Sequence, residues 1–261
     1  MSQGFDVLFP TRDTEIQEKI FKDNHYKIPP ASFFDEYSPA DIRGFGVKSA
    51  LYTIPTLELI EFLRPWVMGK RAVEICAGYG IIGQALGIPV TDSFMQERSD
   101  IALAYAIAMQ PIIKYPKEVI KIDANEVIKY YKPEVVIGSF VTATEDMHGH
   151  PLNMYGVRED LFLDDVETYI MIGNENVHGT KKIRTRPHRV YKADWLVSKA
   201  AKPEANMIYI WSKNFVELDS EEYKFTMYET EIDPAQMPES STQNDNKMIE
   251  NLLKSILGDI S

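Results

Sequence analysis

The sequence predicts an α/β fold: a doubly wound, mostly parallel seven-stranded sheet ending in an antiparallel hairpin, with an N-terminal extension and a C-terminal tail helix. Three observations predict it. Short apolar runs rich in Val, Ile and Tyr alternate with segments of helical spacing from about residue 55 onward, the rhythm of βαβ units. Residues 71–83 read as a buried strand, a glycine turn and a helix start. The last two strand-like runs, 206–212 and 222–229, follow each other across a loop with no helix between them.

Taken in order, residues 56–66 place Leu57, Ile60 and Leu63 on one helical face and precede the first strand. Ala72, Val73 and Ile75 supply that strand. Gly78 and Gly80 permit angles and approaches that a Cβ forbids, and Ile81 and Ile82 begin a helix whose free amides face the turn. Gly87 closes this helix, and residues 88–92 form a second strand ending in Asp92. Residues 94–110 carry Ile101, Ala102, Tyr105, Ala108 and Met109 at helical spacing. A third strand at 118–123, a short helix at 124–131 and a fourth strand at 133–142 continue the alternation. Further helices are expected at 155–165 and 194–201, around a fifth strand at 168–173.

Two ligand classes use a glycine turn of this kind. Gly78, Gly80 and Gly83 meet the G-x-G-x-x-G spacing that sets backbone amides against a dinucleotide's pyrophosphate, with an acid about 20 residues further on. Asp92 stands only 14 residues beyond Gly78, and Glu74 puts a carboxylate inside the strand, where a phosphate would be repelled. An NAD(P)-dependent oxidoreductase is therefore the weaker alternative, and a cationic ligand suits Glu74 better. The run Glu74-Ile75-Cys76-Ala77-Gly78-Tyr79-Gly80 resembles the first motif of the class I S-adenosylmethionine-dependent methyltransferases, acid-x-Gly-x-Gly-x-Gly, with Cys76 in place of the first glycine.

That resemblance spans about residues 55–230, a stretch also similar to methyltransferase-like proteins of phages and bacteria. It implies S-adenosylmethionine as cofactor, held by Glu74, Cys76, Ala77, Gly78, Tyr79 and Gly80, with Ser139 at the end of the fourth strand. It further implies that Asp92 bonds the ribose hydroxyls and that Asp123 and Ala124 meet the adenine amino group. Each acid has a plainer role open to it: Asp92 or Ser93 can cap the helix that follows, and Asp123 can cap the 124–131 helix.

The substrate side is expected in the polar loop at 143–151, because loops at strand C-termini form the crevice of a doubly wound sheet. His148 and His150 can move a proton near neutral pH, with Asp146 or Glu145 orienting them. No metal is expected, since the chain has one Cys and no H-E-x-x-H. Ser139-Phe140-Val141-Thr142 lacks the double proline that base amino methylation calls for in related enzymes. Asn174, Glu175 and His178 form a second loop facing the same crevice. Residues 181–192 hold six Lys or Arg in twelve positions, a candidate site for an anionic ligand, with Tyr191 able to stack on a base.

Composition sets the outer limits. The chain has 261 residues, a formal charge of −11 and 44% hydrophobic residues, a balance suited to a globular protein. No apolar run approaches the length of a membrane span and no signal segment is apparent, so a cytoplasmic location is expected. The expected divisions are an N-terminal extension or lid at 1–54, a Rossmann-like domain at 55–232, a linker at 233–246 and an amphipathic helix at 247–261. Phe33, Phe34, Tyr37 and Tyr52 are candidate walls of an acceptor pocket. The stripe Met248, Ile249, Leu252, Leu253, Ile256, Leu257 and Ile260 must bury somewhere, on its own domain, on a second subunit or on a protein partner. A non-catalytic interaction or structural protein on the same scaffold is the main alternative to a methyltransferase.

Overall fold

The computed structural model describes residues 12–22 and 25–215. The expected strand at 222–229, the linker at 233–246 and the helix at 247–261 lie outside the described residues. The principal helices are α1 (Asp13–Ile20), α2 (Pro39–Lys48), α3 (Leu57–Val67), α4 (Ile81–Leu86), α5 (Ser99–Ile107) and α6 (Ala124–Tyr131). The strands of the α/β region are β1 (Ala72–Ile75), β2 (Thr91–Asp92), β3 (Ile120–Lys121), β4 (Val135–Ser139), β5 (Thr168–Asn174), β6 (Arg189–Tyr191) and β7 (Asn206–Ser212).

Five of these strands form the central sheet, in the order β1-β4-β5-β7-β6. β1, β4 and β5 pair in parallel, β7 runs antiparallel to β5, and β6 runs antiparallel to β7. Four of the five therefore share one direction. β2 and β3 make a separate parallel pair beside β1, joined to it by a single parallel bridge between Glu74 and Val90.

Parallel strands covered on both faces are apolar throughout, and here alternate residues feed opposite layers. Val73, Val136, Tyr169, Met171 and Trp211 pack with Val127, Ile128 and Tyr131 of α6 on one face. Ala72, Val135, Ile137, Ile170 and Ile208 pack with Leu59, Leu63 and Val67 of α3 and Ile82 of α4 on the other. α3 begins where Thr56 Oγ1 accepts from Leu59 N, and α2 begins with a capping box between Ser38 and Asp41. Residues 12–54 build their own small core of Ile16, Ile20, Phe34, Tyr37, Phe45, Leu51 and Ile54. A two-residue antiparallel ribbon, Thr53–Ile54 with Val197–Ser198, stitches this extension to the far end of the described chain.

Three expectations are corrected. The helix at 94–110 is shorter: Phe94 is left-handed, a 3-10 turn occupies Met95–Glu97, and α5 ends at Ile107. No residue of α5 is buried, because its apolar side chains are spread around the axis instead of gathered on one face. The helix at 155–165 is a single turn, Glu159–Phe162. Residues 194–201 supply the Val197–Ser198 ribbon strand and no helix, the tertiary pairing with Thr53 and Ile54 overriding local spacing. Along 208–210, β7 pairs with β5 on one side and β6 on the other.

Among the described residues no helix is long and apolar enough to cross a membrane. Ile137, fully buried at the sheet centre, tests the packing: Ile137→Ala is expected to cost about 3 kcal/mol of unfolding free energy. A urea midpoint equal to that of the unchanged protein would contradict the placement.

Candidate functional site

The glycine turn leaves β1 at Ile75 and is left-handed at three of the next five residues: Cys76 (φ 51°), Gly78 (φ 55°) and Gly80 (φ 68°). For Cys76 that geometry costs about 1–2 kcal/mol. The residue that replaces the motif's first glycine thus keeps a glycine conformation, the kind of stored strain that clusters at ligand sites. Gly83 is required for space. A Cβ there would lie 2.4 Å from Val90 Cγ1 and 2.7 Å from Glu74 Oε2.

Two carboxylates bind the turn from either side. Glu74 Oε2 accepts from Gly83 N at 2.7 Å, and Asp92 Oδ2 accepts from Gly78 N at 3.0 Å. Asp92 Oδ1 also accepts from Phe94 N at 2.8 Å, so it both braces the turn and shapes the start of the next segment. Glu74 is 1% exposed. Burial pushes its carboxyl up to about 8, against the Gly83 amide, which favours the charged form, while the nearby Asp92 charge adds to the rise. Burial also raises Asp92, opposed by its bonds from Gly78, Phe94 and Tyr115. The Cys76 thiol is pushed well up by burial, as befits a packed side chain and not a nucleophile.

A cavity of about 70 Å³ sits over the turn, lined by Glu74, Cys76, Ala77, Gly78, Tyr79 and Ser139. Its roof comes from the N-terminal extension. Thr53 Oγ1 accepts from Ser139 Oγ at 2.7 Å, and the Tyr52 and Tyr105 hydroxyls lie 2.6 Å apart. Lys199 Nζ stands 3.5 Å from the Tyr52 ring centroid, and burial lowers this amine to about 8. Of the four expected pocket walls, only Tyr52 lines the cavity; Phe34 and Tyr37 are core residues of the extension, and Phe33 packs against that core. Ligand pockets usually measure about 300–1,000 Å³, so the closed space suits a few waters and not a nucleoside.

The other expected site residues lie elsewhere. Asp123 is exposed and caps α6 by accepting from Asn125 N at 2.8 Å, while Ala124, the first residue of α6, is buried in the core. Asp146 accepts from His148 N and His150 N and bonds His150 Nδ1 at 3.0 Å, which folds the 143–151 loop on itself. His148, His150 and Asp146 do not line the cavity. Asn174 and His178 are buried; Asn174 bonds Lys202 O and Asn206 Oδ1, and burial holds the His178 imidazole at about 3. Glu175 pairs with Arg184.

Most of the basic run is neutralised within the fold. Lys181 is buried against Glu159, Lys182 meets Glu145 and Asp160, and Arg184 and Arg186 meet Glu175 and Asp164. Arg189 lies over the Phe215 ring. Besides the roof residues Thr53, Tyr105 and Lys199, three residues beside the turn escaped the sequence reading. Phe94 and Tyr115 stack with centroids 4.0 Å apart and planes 5° from parallel, and Ile113 lines the cavity beside Gly78. For Ile113 and Tyr115 the one signal was an aromatic and apolar run between Pro111 and Pro116, outside any periodic element.

No protein-family model matches the chain, and no curated protein matches it. Solved structures do. A Streptococcus mutans protein assigned as a SAM-dependent methyltransferase shares 10% identity with a TM-score of 0.31, over 57% of this chain and 46% of that one. A SAM-dependent methyltransferase from Agrobacterium tumefaciens shares 12% identity with a TM-score of 0.30, over 59% of this chain and 60% of that one. The chain thus spans about half the length of these proteins.

Glu74 yields a pH prediction. The unfolded chain releases this proton near the ordinary 4.5 and the native protein near 8. Between those values the native state binds more protons, so stability falls as pH rises through that window and is level outside it. Glu74→Gln, neutral throughout, is expected to remove that part of the fall. Urea midpoints at pH 5 and pH 8 check this, and equal changes in the two proteins would refute it.

Proposed function

We propose that the chain binds S-adenosylmethionine over the glycine turn and transfers its methyl group to an acceptor. The observation that carries this reading is the pair of carboxylates, Glu74 and Asp92, on the amides of Gly83 and Gly78. Those amides are the groups a pyrophosphate would need; both are already taken by the acids, and an ionised Asp92 would repel an anion. A cationic ligand without a pyrophosphate is favoured by the same electrostatics. Six of the residues implied by the motif resemblance line one cavity, and that supports the placement. On this reading the β2-β3 pair extends the central sheet into a seven-stranded array through the Glu74–Val90 bridge.

The bound donor supplies an electrophilic methyl group. The protein's part is position and exclusion. Asp92, at the end of β2, accepts from ligand hydroxyls, the Cys76–Gly80 backbone lies against the ligand, and the Tyr52–Thr53 roof keeps water out. Ser139 sits at the seam between roof and sheet. Asp123 and Ala124 take the base edge if α6's first turn is within reach of it. The acceptor proton is assigned to the 143–151 loop, where Asp146 orients His150. Lys199, drawn toward neutrality over Tyr52, is a second base at the cavity's edge. An anionic acceptor at 181–192 would meet Arg189 and Lys192, and the 247–261 segment is proposed as a contact for a second subunit or protein partner.

A second reading, a non-catalytic interaction protein on this scaffold, is favoured by the small cavity. Calorimetric titration separates the two. Micromolar binding of S-adenosylmethionine and S-adenosylhomocysteine, weakened about tenfold or more by Asp92→Asn, is expected from the loss of a charge-assisted bond. No heat at high micromolar ligand from folded protein would overturn the methyltransferase reading.

A further inference from the structure

The segment between α5 and β3 fills the space beside the turn. Residues 110–116 contain neither helix nor strand. The Tyr115 ring lies flat on Phe94, with centroids 4.0 Å apart, and its hydroxyl is electrostatically coupled to the Asp92 carboxylate. Phe94 itself is held left-handed, at φ 59°, by the bond from its amide to Asp92. Two residues earlier, Ile113 donates its amide to Gln96 Oε1 and sets its Cδ1 3.1 Å from where a Gly78 Cβ would stand.

We infer that Tyr115 is a built-in occupant of the nucleoside position, and that an adenosine-bearing ligand binds only when residues 110–116 swing away. This rests on the methyl-donor reading and deepens it. A nucleoside offers a planar ring at one end and hydroxyls at the other. Tyr115 offers the same two features, and it delivers them to a flat aromatic face and to the acid assigned to the ribose. Its departure frees three things at once: the outer face of Phe94, an acceptor site on Asp92 and, with Ile113, the space over Gly78. Because few backbone bonds tie the segment down, it can leave without unzipping a sheet or a helix. The closed form then withholds the site from ligand, and the apparent affinity is reduced by the fraction of molecules that are open.

The test is calorimetric titration of S-adenosylhomocysteine into the full chain and into Tyr115→Ala and Tyr115→Phe, each verified as folded by circular dichroism. Removing the occupant is expected to tighten binding about tenfold for Tyr115→Ala. Tyr115→Phe, which keeps the ring and loses the hydroxyl, should fall between. In the unchanged protein, saturating ligand should speed amide hydrogen exchange at residues 112–115, the reverse of ordinary protection. Weaker binding by Tyr115→Ala would make Tyr115 a wall of the ligand site and overturn the inference, as would unchanged affinity. Either result leaves the methyl-donor reading standing. Absence of binding by all three folded proteins overturns both.

Discussion

The site depends on two short hydrogen bonds from backbone to acid, Gly83 to Glu74 and Gly78 to Asp92. A turn with three left-handed residues has little conformational preference of its own to hold it. The carboxylates supply that preference from neighbouring strands, and by doing so they set the charge of the place where β1 and β2 end. Each acid also depends on a missing side chain: a Cβ on Gly83 would collide with Glu74 and Val90, and one on Gly78 would crowd Ile113. Sterics and electrostatics at this turn are one constraint.

The rest of the molecule is arranged around it. The two faces of the central sheet are covered by α6 on one side and by α3 and α4 on the other, and the cavity over the turn lies at the strand ends. The extension lines that cavity through Tyr52 and Thr53, and the 110–116 segment lines it through Ile113. Left-handed, non-glycine residues recur at these contacts, at Ala50, Cys76, Phe94 and Phe140. Strain of this sort persists only where surrounding packing enforces it.

Much of this architecture was legible in the sequence, and the physical reason is periodicity. β1, β4, β5 and α6 are short and strongly patterned, and their bounds fall close to expectation. Glycines at 78, 80, 83 and 87 marked the turn and the helix stop correctly. The errors gather where tertiary pairing decides the conformation. β6 lies inside a basic run whose alternation is masked by charge, and Val197–Ser198 becomes a strand only because Thr53–Ile54 is beside it. At the site, the residues adjacent in sequence to the glycines were found, whereas Ile113 and Tyr115 were not, since no local pattern says that an irregular segment folds back over the turn. Asp123 shows the opposite case: its spacing fits both a ligand contact and a helix cap, and the cap is the contact it makes here.

Glu74 carries one consequence for energetics in water. Burial raises the Glu74 carboxyl, and a positive charge arriving beside it would favour release of its proton. Were the proposed sulfonium to bind, its uptake would exchange one cation for another with the solvent, whereas an uncharged thioether would displace nothing. Alkalinity would tilt the competition toward the charged species, so the acidity of the medium would help decide which of the two occupies the cleft.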